Sequence, residues 1–399
     1  MGKAMQETVF DKNIAALKQR SPFLAEQLRK LPISAATSVG IAPNQQANML
    51  YRNVAVHSDD PAGESAHLLA QEVTPDVRTY SSVFFIIGMG LGYLLRRSFV
   101  KTAATLVVYE PLLDVLRQTL EIVDLSEELA SERVTIVNDV HQVSNAFEAV
   151  LLDVNDFRAM LLPSYQTLAP QQVKAAVDAF RTVIDRKDKL QNVIDAFHTL
   201  VYNKVSHPST GKAPRFMGIE VWKMPTDLWM YQEIIFDCKP DIIIETGTAL
   251  GGSGLYLASL CDMVNHGKVL SIDIVEYPDR PSHPRLTHLL GSSTSPVIVD
   301  QIKSMIAEGN QVMAILDSDH AQKHVIEELR IYGEIVTKGC YMIVEDSNVN
   351  GHPVKPEFGP GPKEAVDVYL LENQNYMVNG YCERFLLSQN PEGYLLRVN

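Results

Sequence analysis

The sequence predicts an α/β protein of two units, each built around a parallel sheet, with a helical segment between them. Two observations carry this. A β-rich run enters a glycine-rich turn and then a helix in "SSVFFIIGMGLGYLLRRSF", near residue 85, and again in "PDIIIETGTALGGSGLYLASL", near residue 245. Each is followed by a second apolar strand with an acid near its end, Glu110 in "TLVVYEP" and Asp273 in "KVLSIDIVE". Strand, turn, helix and strand in that order is the repeating unit of a Rossmann-like sheet. The expected organisation is a Rossmann-like accessory domain over 1–160, a helical connector over 161–215 and a second, larger α/β domain over 216–399.

Residues 1–75 read as mostly helical and mixed. In 165–205, Val173, Ala176, Phe180, Val183 and Ile184 recur on one helical face. From 225 the chain enters another helix, with Thr226 as expected N-cap, Asp227 suited to the positive helix start, and Leu228, Tyr231, Ile234 and Ile235 as its apolar stripe. Pro240 ends it. "DIIIE" is a continuous apolar run, as a buried parallel strand requires. "VMAIL" leads to Asp317, and Asp319 with Gln322 fits a capping box for the next helix. Val325, Leu329, Tyr332 and Val336 form that helix's buried stripe. "YMIV" then ends in the adjacent acids Glu345 and Asp346.

Composition narrows the function. The 399 residues are 46% hydrophobic and 21% charged, ordinary for a globular chain, and the formal net charge is −13. That balance argues against nucleic acid and against an anionic membrane surface as partners. The four cysteines form no CxxC pair, so a reducing compartment is expected. The amino terminus lacks an apolar signal core, and no apolar stretch of spanning length is uninterrupted. A soluble cytoplasmic protein, with no membrane insertion and assembled as a homo-oligomer, is the expectation.

Chemistry concentrates in the second unit. The loop from Glu245, Thr246 and Gly247 through Gly251 and Ser253 lets a ligand approach the backbone at a helix start. Asp273 lies 26 residues past Gly247, at the end of the next strand. From there a carboxylate receives ribose hydroxyls. The loop is neither G-x-G-x-x-G nor a Walker loop, which favours an adenosine ligand bearing a carboxylate, such as S-adenosylmethionine, over a phosphate-rich one. Parallel strands share one carboxyl edge, so Asp273, Asp317, Glu345 and Asp346 should converge there. Asp317, Glu345 and Asp346 make a hard all-oxygen site suited to Mg²⁺, Mn²⁺ or Ca²⁺. His320 is expected beside it as a functional residue. His324 reads as solvated, although with Asp317 and His320 it also fits a two-histidine, one-carboxylate iron site.

These residues carry a resemblance. "KMPTDLWMYQEII", "KPDIIIETGTALGGSGLYLA", "VLSIDI", "LDSDHAQKHV", "IVEDSN", "GPGPKEAV" and "GYLLRV" resemble, in order, the cephalosporin hydroxylase / rhamnosyl O-methyltransferase family over about 216–399. The resemblance implies a class I methyltransferase fold using S-adenosylmethionine and Mg²⁺ or Mn²⁺. It implies Asp317, Glu345 and Asp346 as metal ligands, and the Gly247 loop, Asp273 and Asp317 as cofactor residues. It places Ser292 and Ser293 beside the adenine. A sugar or glycoconjugate hydroxyl would be the acceptor, with Asp317 or His320 taking its proton. Tyr341 and the loop 351–362 are placed to cover the substrate, or the loop is a rigid turn. "FDKNIAALKQRSP", "VHSDDPAGESAHLLA" and "FFIIGMGLGYLL" followed by "LVVYEP" resemble the N-terminal domain of motility accessory factor proteins, linked to flagellin glycosylation. Its usual glycosyltransferase partner domain is not evident, and "GMGLG" reads as a scaffold or a degenerate site. The alternatives are an iron hydroxylase, as the family name suggests, and a non-catalytic glycan-assembly protein.

Overall fold

The computed structural model describes residues 7–74, 77, 79, 82–148, 150–151, 156–206 and 212–399; part of the expected amino-terminal and connector segments lies outside them. The chain divides into two compact units, Met1–Lys189 and Leu190–Asn399. The helix Pro170–Val201 runs across that division. Val173, Ala176, Phe180 and Val183 are buried along it, on the face the periodicity marks.

In the first unit, helix Val9–Arg20 starts where Thr8 accepts from the Asp11 amide at 3.1 Å. Helices Pro22–Lys30 and Pro61–Glu72 flank a small antiparallel sheet, Thr37–Ile41, Ala47–Tyr51 and Val54–Ala55. That sheet is absent from the sequence reading, because its strands are short and mostly exposed. Four parallel strands follow, in spatial order Val134–Val137, Thr105–Tyr109, Ser82–Ile87, Asp156–Leu161. The central strand Ser82–Ile87 is buried throughout.

The Gly88–Gly92 loop is closed by its own unit. Gly90 has φ +52, and a Cβ there would sit 2.5 Å from His57 Nε2. The Met89 amide donates to Glu110 Oε2 at 2.9 Å, Gly90 to the Tyr165 hydroxyl at 3.2 Å, and Leu91 to His57 Nε2 at 2.8 Å. Donors that would cradle a phosphate are therefore already paired. Glu110 is fully buried, and burial pushes its carboxyl up to about 7 against the hydrogen bonds from Tyr165, Leu112 and Met89. In the position of a ribose acceptor, it caps its own loop instead.

The second unit is built on seven strands. In chain order they are Ile242–Thr246, Lys268–Asp273, Leu286–Leu290, Val312–Leu316, Tyr341–Val344, Tyr376–Val378 and Tyr394–Arg397. In space they run third, second, first, fourth, fifth, seventh, sixth; only the seventh lies antiparallel to its neighbours. This is the class I methyltransferase sheet. Ile242, Ile243 and Ile244 are at most 1% exposed, each a gain of roughly 1.5–3 kcal/mol from burial. Register does the rest: Thr246 pairs with Leu316 and Leu316 with Val344. Gly247, Asp317 and Glu345, the next residue of each strand, thus leave the sheet side by side.

Several local expectations change. The helix Pro225–Cys238 begins at Pro225 with Met224 as its cap, and Thr226 lies inside its first turn, donating to the Leu387 carbonyl. Asp227 does not serve an exposed helix start. It is buried and accepts from the Ser388 hydroxyl (2.6 Å), the Tyr394 hydroxyl (2.7 Å) and the Gln389 amide (2.8 Å), stitching the helix to the carboxyl-terminal segment. Asp319 makes a turn with the Ala321 amide at 2.8 Å rather than a capping box, and the helix Gln322–Tyr332 starts after Ala321. Tyr341 opens its strand, at the edge away from Glu345, and accepts from Asn379 Nδ2 at 2.6 Å; it does not cover the site. Among the described residues no helix is long and apolar enough to cross a membrane.

Candidate functional site

At the carboxyl edge of this sheet lies a cavity of about 460 Å³. Its wall includes Gly247, Ser253, Asp273, Ser292, Ser293, Asp317, His320 and Asp346. Glu245, Thr246 and Gly251 lie behind that wall. Glu245 is buried and accepts from Ser271 Oγ at 2.7 Å. Thr246 Oγ1 accepts from the Asp317 amide at 3.2 Å, and Gly251 begins the helix Gly252–Met263.

Gly247 has φ +79, and a Cβ there would fall 1.9 Å from the Asp317 carbonyl oxygen. Only glycine lets the first and fourth strands close on each other at this point. Asp273 accepts from the Ala249 and Val275 amides, each at 2.8 Å, and Arg280 lies 3.1 Å away. A carboxylate offers roughly four acceptor positions, so room for a hydroxyl donor remains. Gln389, also on the wall, has a buried Oε1 with no partner.

The acids sort themselves into two groups. Asp317, His320 and Asp346 bring one ligand atom each to within 4.8 Å of one another. His320 Nε2 lies 3.1 Å from Asp346 Oδ2. Asp346 follows the strand with φ +54, a left-handed turn that takes it out of the alternation with Glu345. Glu345 is 2% exposed, and its Oε1 accepts from Tyr231 and, at 2.6 Å, from Lys223 Nζ. Lys223 also donates to Asp317 Oδ2 at 2.7 Å.

Charge is crowded here. Burial raises the Asp317 carboxyl to about 7; Lys223 opposes the rise while Glu345 and Asp346 add to it. Burial raises Asp346 too, against His320. Burial pulls His320 down, but Asp346 and Asp317 outweigh it and hold the imidazole above its ordinary value. The two carboxyls rise chiefly through burial, with the neighbouring carboxylates adding to it, while the imidazole's rise comes from Asp346 and Asp317. A hard oxygen-rich donor set with negative charge to spare fits a divalent cation.

Lys223 and Arg280 escaped the sequence reading. The first is a lysine among the apolar residues Val221, Trp222 and Met224, a visible oddity, but its partners lie 94 and 122 positions away. His324 is not merely solvated. Its Nε2 lies 3.0 Å from Ser318 Oγ and 3.2 Å from Ser293 Oγ, on the cavity wall. Facing those hydroxyls, it stands outside the Asp317, His320 and Asp346 group, so the two-histidine iron set is not assembled among the described residues.

Residues 210–398 match the family model described as Rhamnosyl O-methyltransferase/CmcI. A rhamnosyl O-methyltransferase of Mycobacterium tuberculosis (strain ATCC 25618 / H37Rv) is 37% identical over 212 residues, covering 51% of this chain and 85% of that protein. One from Mycobacterium leprae (strain TN) is 37% identical over 185 residues, 45% of this chain and 79% of that protein. Among solved structures, a CmcI apo structure aligns with TM-score 0.37 and 20% identity over 47% of this chain and 76% of its own. A MAf glycosyltransferase from Magnetospirillum magneticum AMB-1 aligns with TM-score 0.33 and 12% identity over 84% of this chain and 53% of its own. Those structural likenesses are weak; the assignment rests on the sequence relatives. The chain belongs to the rhamnosyl O-methyltransferase/CmcI family.

Proposed function

We propose that the second unit transfers the methyl group of S-adenosylmethionine to a sugar hydroxyl, with Mg²⁺ or Mn²⁺ held at the acid cluster. One observation carries the reading: the Gly247 loop, Asp273, Asp317, His320 and Asp346 all face one cavity. The rhamnosyl O-methyltransferase relatives support a deoxysugar such as a rhamnosyl group as acceptor. The first unit's resemblance to flagellin-glycosylation proteins supports a surface glycan or glycoconjugate as its carrier.

In this reading Gly247, Ser253 and Asp273 hold the cofactor's amino-acid and ribose parts, with Ser292 and Ser293 beside the adenine. Asp317 and Asp346 hold the cation, with Glu345 as the third acid. The cation, when bound, lowers the pKa of a sugar hydroxyl and fixes its neighbour. His320 would take the acceptor hydroxyl's proton, and bound S-adenosylmethionine would supply the methyl group and leave as S-adenosylhomocysteine. Trp222 and Phe358 line the same cavity and are 42% and 41% exposed, giving aromatic faces for the apolar side of a sugar ring. Closeness of oxygen and methyl supplies much of the remaining acceleration.

Mass spectrometry of the host's surface glycans, with and without the gene, tests this. One methyl ether should disappear from one sugar in the deletion strain and return on complementation. Unchanged glycan methylation would overturn the reading.

A further inference from the structure

Lys223 has no place in the methyl-transfer scheme, yet it is as deeply buried as Glu345. It is 2% exposed, so no solvent shares its charge. Its Nζ bridges two of the three acids, Asp317 at 2.7 Å and Glu345 at 2.6 Å. It precedes the helix Pro225–Cys238, whose Tyr231 also grips Glu345. Three carboxylates face one ammonium and the His320 imidazole, which lies 3.1 Å from Asp346, so negative charge remains for a divalent cation to offset.

We propose that Lys223 is the resident counter-cation of the acid cluster. It offsets the mutual repulsion of Asp317 and Glu345 when no ion is bound, and it weakens a divalent ion's binding by repulsion. This role rests on the cation reading of the site. Lys223 meets Glu345 and Asp317 through one oxygen each, Oε1 and Oδ2. Removing it leaves Glu345 anchored by Tyr231, and Asp317 anchored by its amide's bonds to Thr246. Glu345's carboxylate and Asp317's backbone position therefore survive the loss of the ammonium, and the lost repulsion dominates.

The test is Mn²⁺ alone, titrated by calorimetry into the full chain and into Lys223→Met, with melting temperatures measured with and without Mn²⁺. Lys223→Met should bind Mn²⁺ about tenfold tighter or more. Without the ion it should melt below the wild type, and saturating Mn²⁺ should raise its melting temperature by more than it raises the wild type's. Affinity equal to or weaker than the wild type overturns the role of Lys223 while leaving the metal reading standing. A wild type that binds no Mn²⁺ overturns both. If Lys223→Met folds only when Mn²⁺ is present, the ion has replaced the missing charge, as proposed. Failure to fold even with Mn²⁺ means the lysine's role is not that of a cation, and the proposal falls.

Discussion

Replacing Gly247 by alanine tests how the cofactor loop and the acid cluster are tied. At φ +79 an L side chain costs about 1–2 kcal/mol. The new Cβ would also stand 1.9 Å from the Asp317 carbonyl oxygen, 2.5 Å from its carbon and 2.7 Å from Ser318 Cα. A tolerable C···O approach is about 3.3 Å, so the fourth strand's end must retreat by roughly 1.4 Å. All three atoms are backbone, and no side chain can swing aside. Overpacking of this kind costs about 1–3 kcal/mol, for a total near 2–5 kcal/mol. Gly309→Ala is the control: φ is +85, and nothing lies within 4 Å of its Cβ, so only the conformational cost applies. Both tryptophans, Trp222 and Trp229, lie in the second unit, so urea unfolding followed by tryptophan fluorescence reads that unit. Gly247→Ala should lose at least about 1 kcal/mol more than Gly309→Ala. Equal losses would refute the close approach of the two strand ends.

Three further outcomes are expected. Asp227→Asn presents an amide where the Ser388 and Tyr394 hydroxyls and the Gln389 amide all donate; it should destabilise the second unit by about 2 kcal/mol in the same urea assay. Glu110, with its folded carboxyl raised to about 7, binds more protons folded than unfolded between its unfolded value of 4.5 and pH 7. Its contribution to first-unit stability is therefore full below pH 4.5 and declines by up to about 3 kcal/mol as pH rises to 7. Hydrogen exchange of the strand Ser82–Ile87 should show that decline in the wild type and lose it in Glu110→Gln. His320→Ala should lower methyl transfer by about a hundredfold or more while leaving S-adenosylmethionine affinity within a few-fold; equal loss of both would make His320 a folding residue.

What the sequence made legible follows from what local physics controls. Continuous apolar runs such as Ile242–Ile244 and Met342–Val344 read as buried parallel strands, and their carboxyl ends name the site edge. The acid pair was legible as adjacent like charges at a strand end. Their partner was not, because Lys223 reaches Glu345 across 122 positions. Strand neighbours ordinarily point to opposite faces, and the left-handed turn at Asp346 departs from that rule. The same limit explains Asp227. A carboxylate at a helix start reads as solvent-exposed unless the Ser388–Gln389 segment that buries it is already in place. In the first unit, "GMGLG" signals close backbone approach, and the approach is real, but His57 and Tyr165 fill it rather than a ligand. Glycine reports that something comes near, not what.

The central claim is that the cavity beneath Gly247 and Asp273 takes S-adenosylmethionine. Equilibrium dialysis of labelled S-adenosylmethionine against the full chain measures this directly. The account predicts saturable binding of one cofactor per chain, strongly weakened by Asp273→Ala and retained by Glu110→Gln. Absence of binding, or binding that Asp273→Ala leaves untouched, would contradict it.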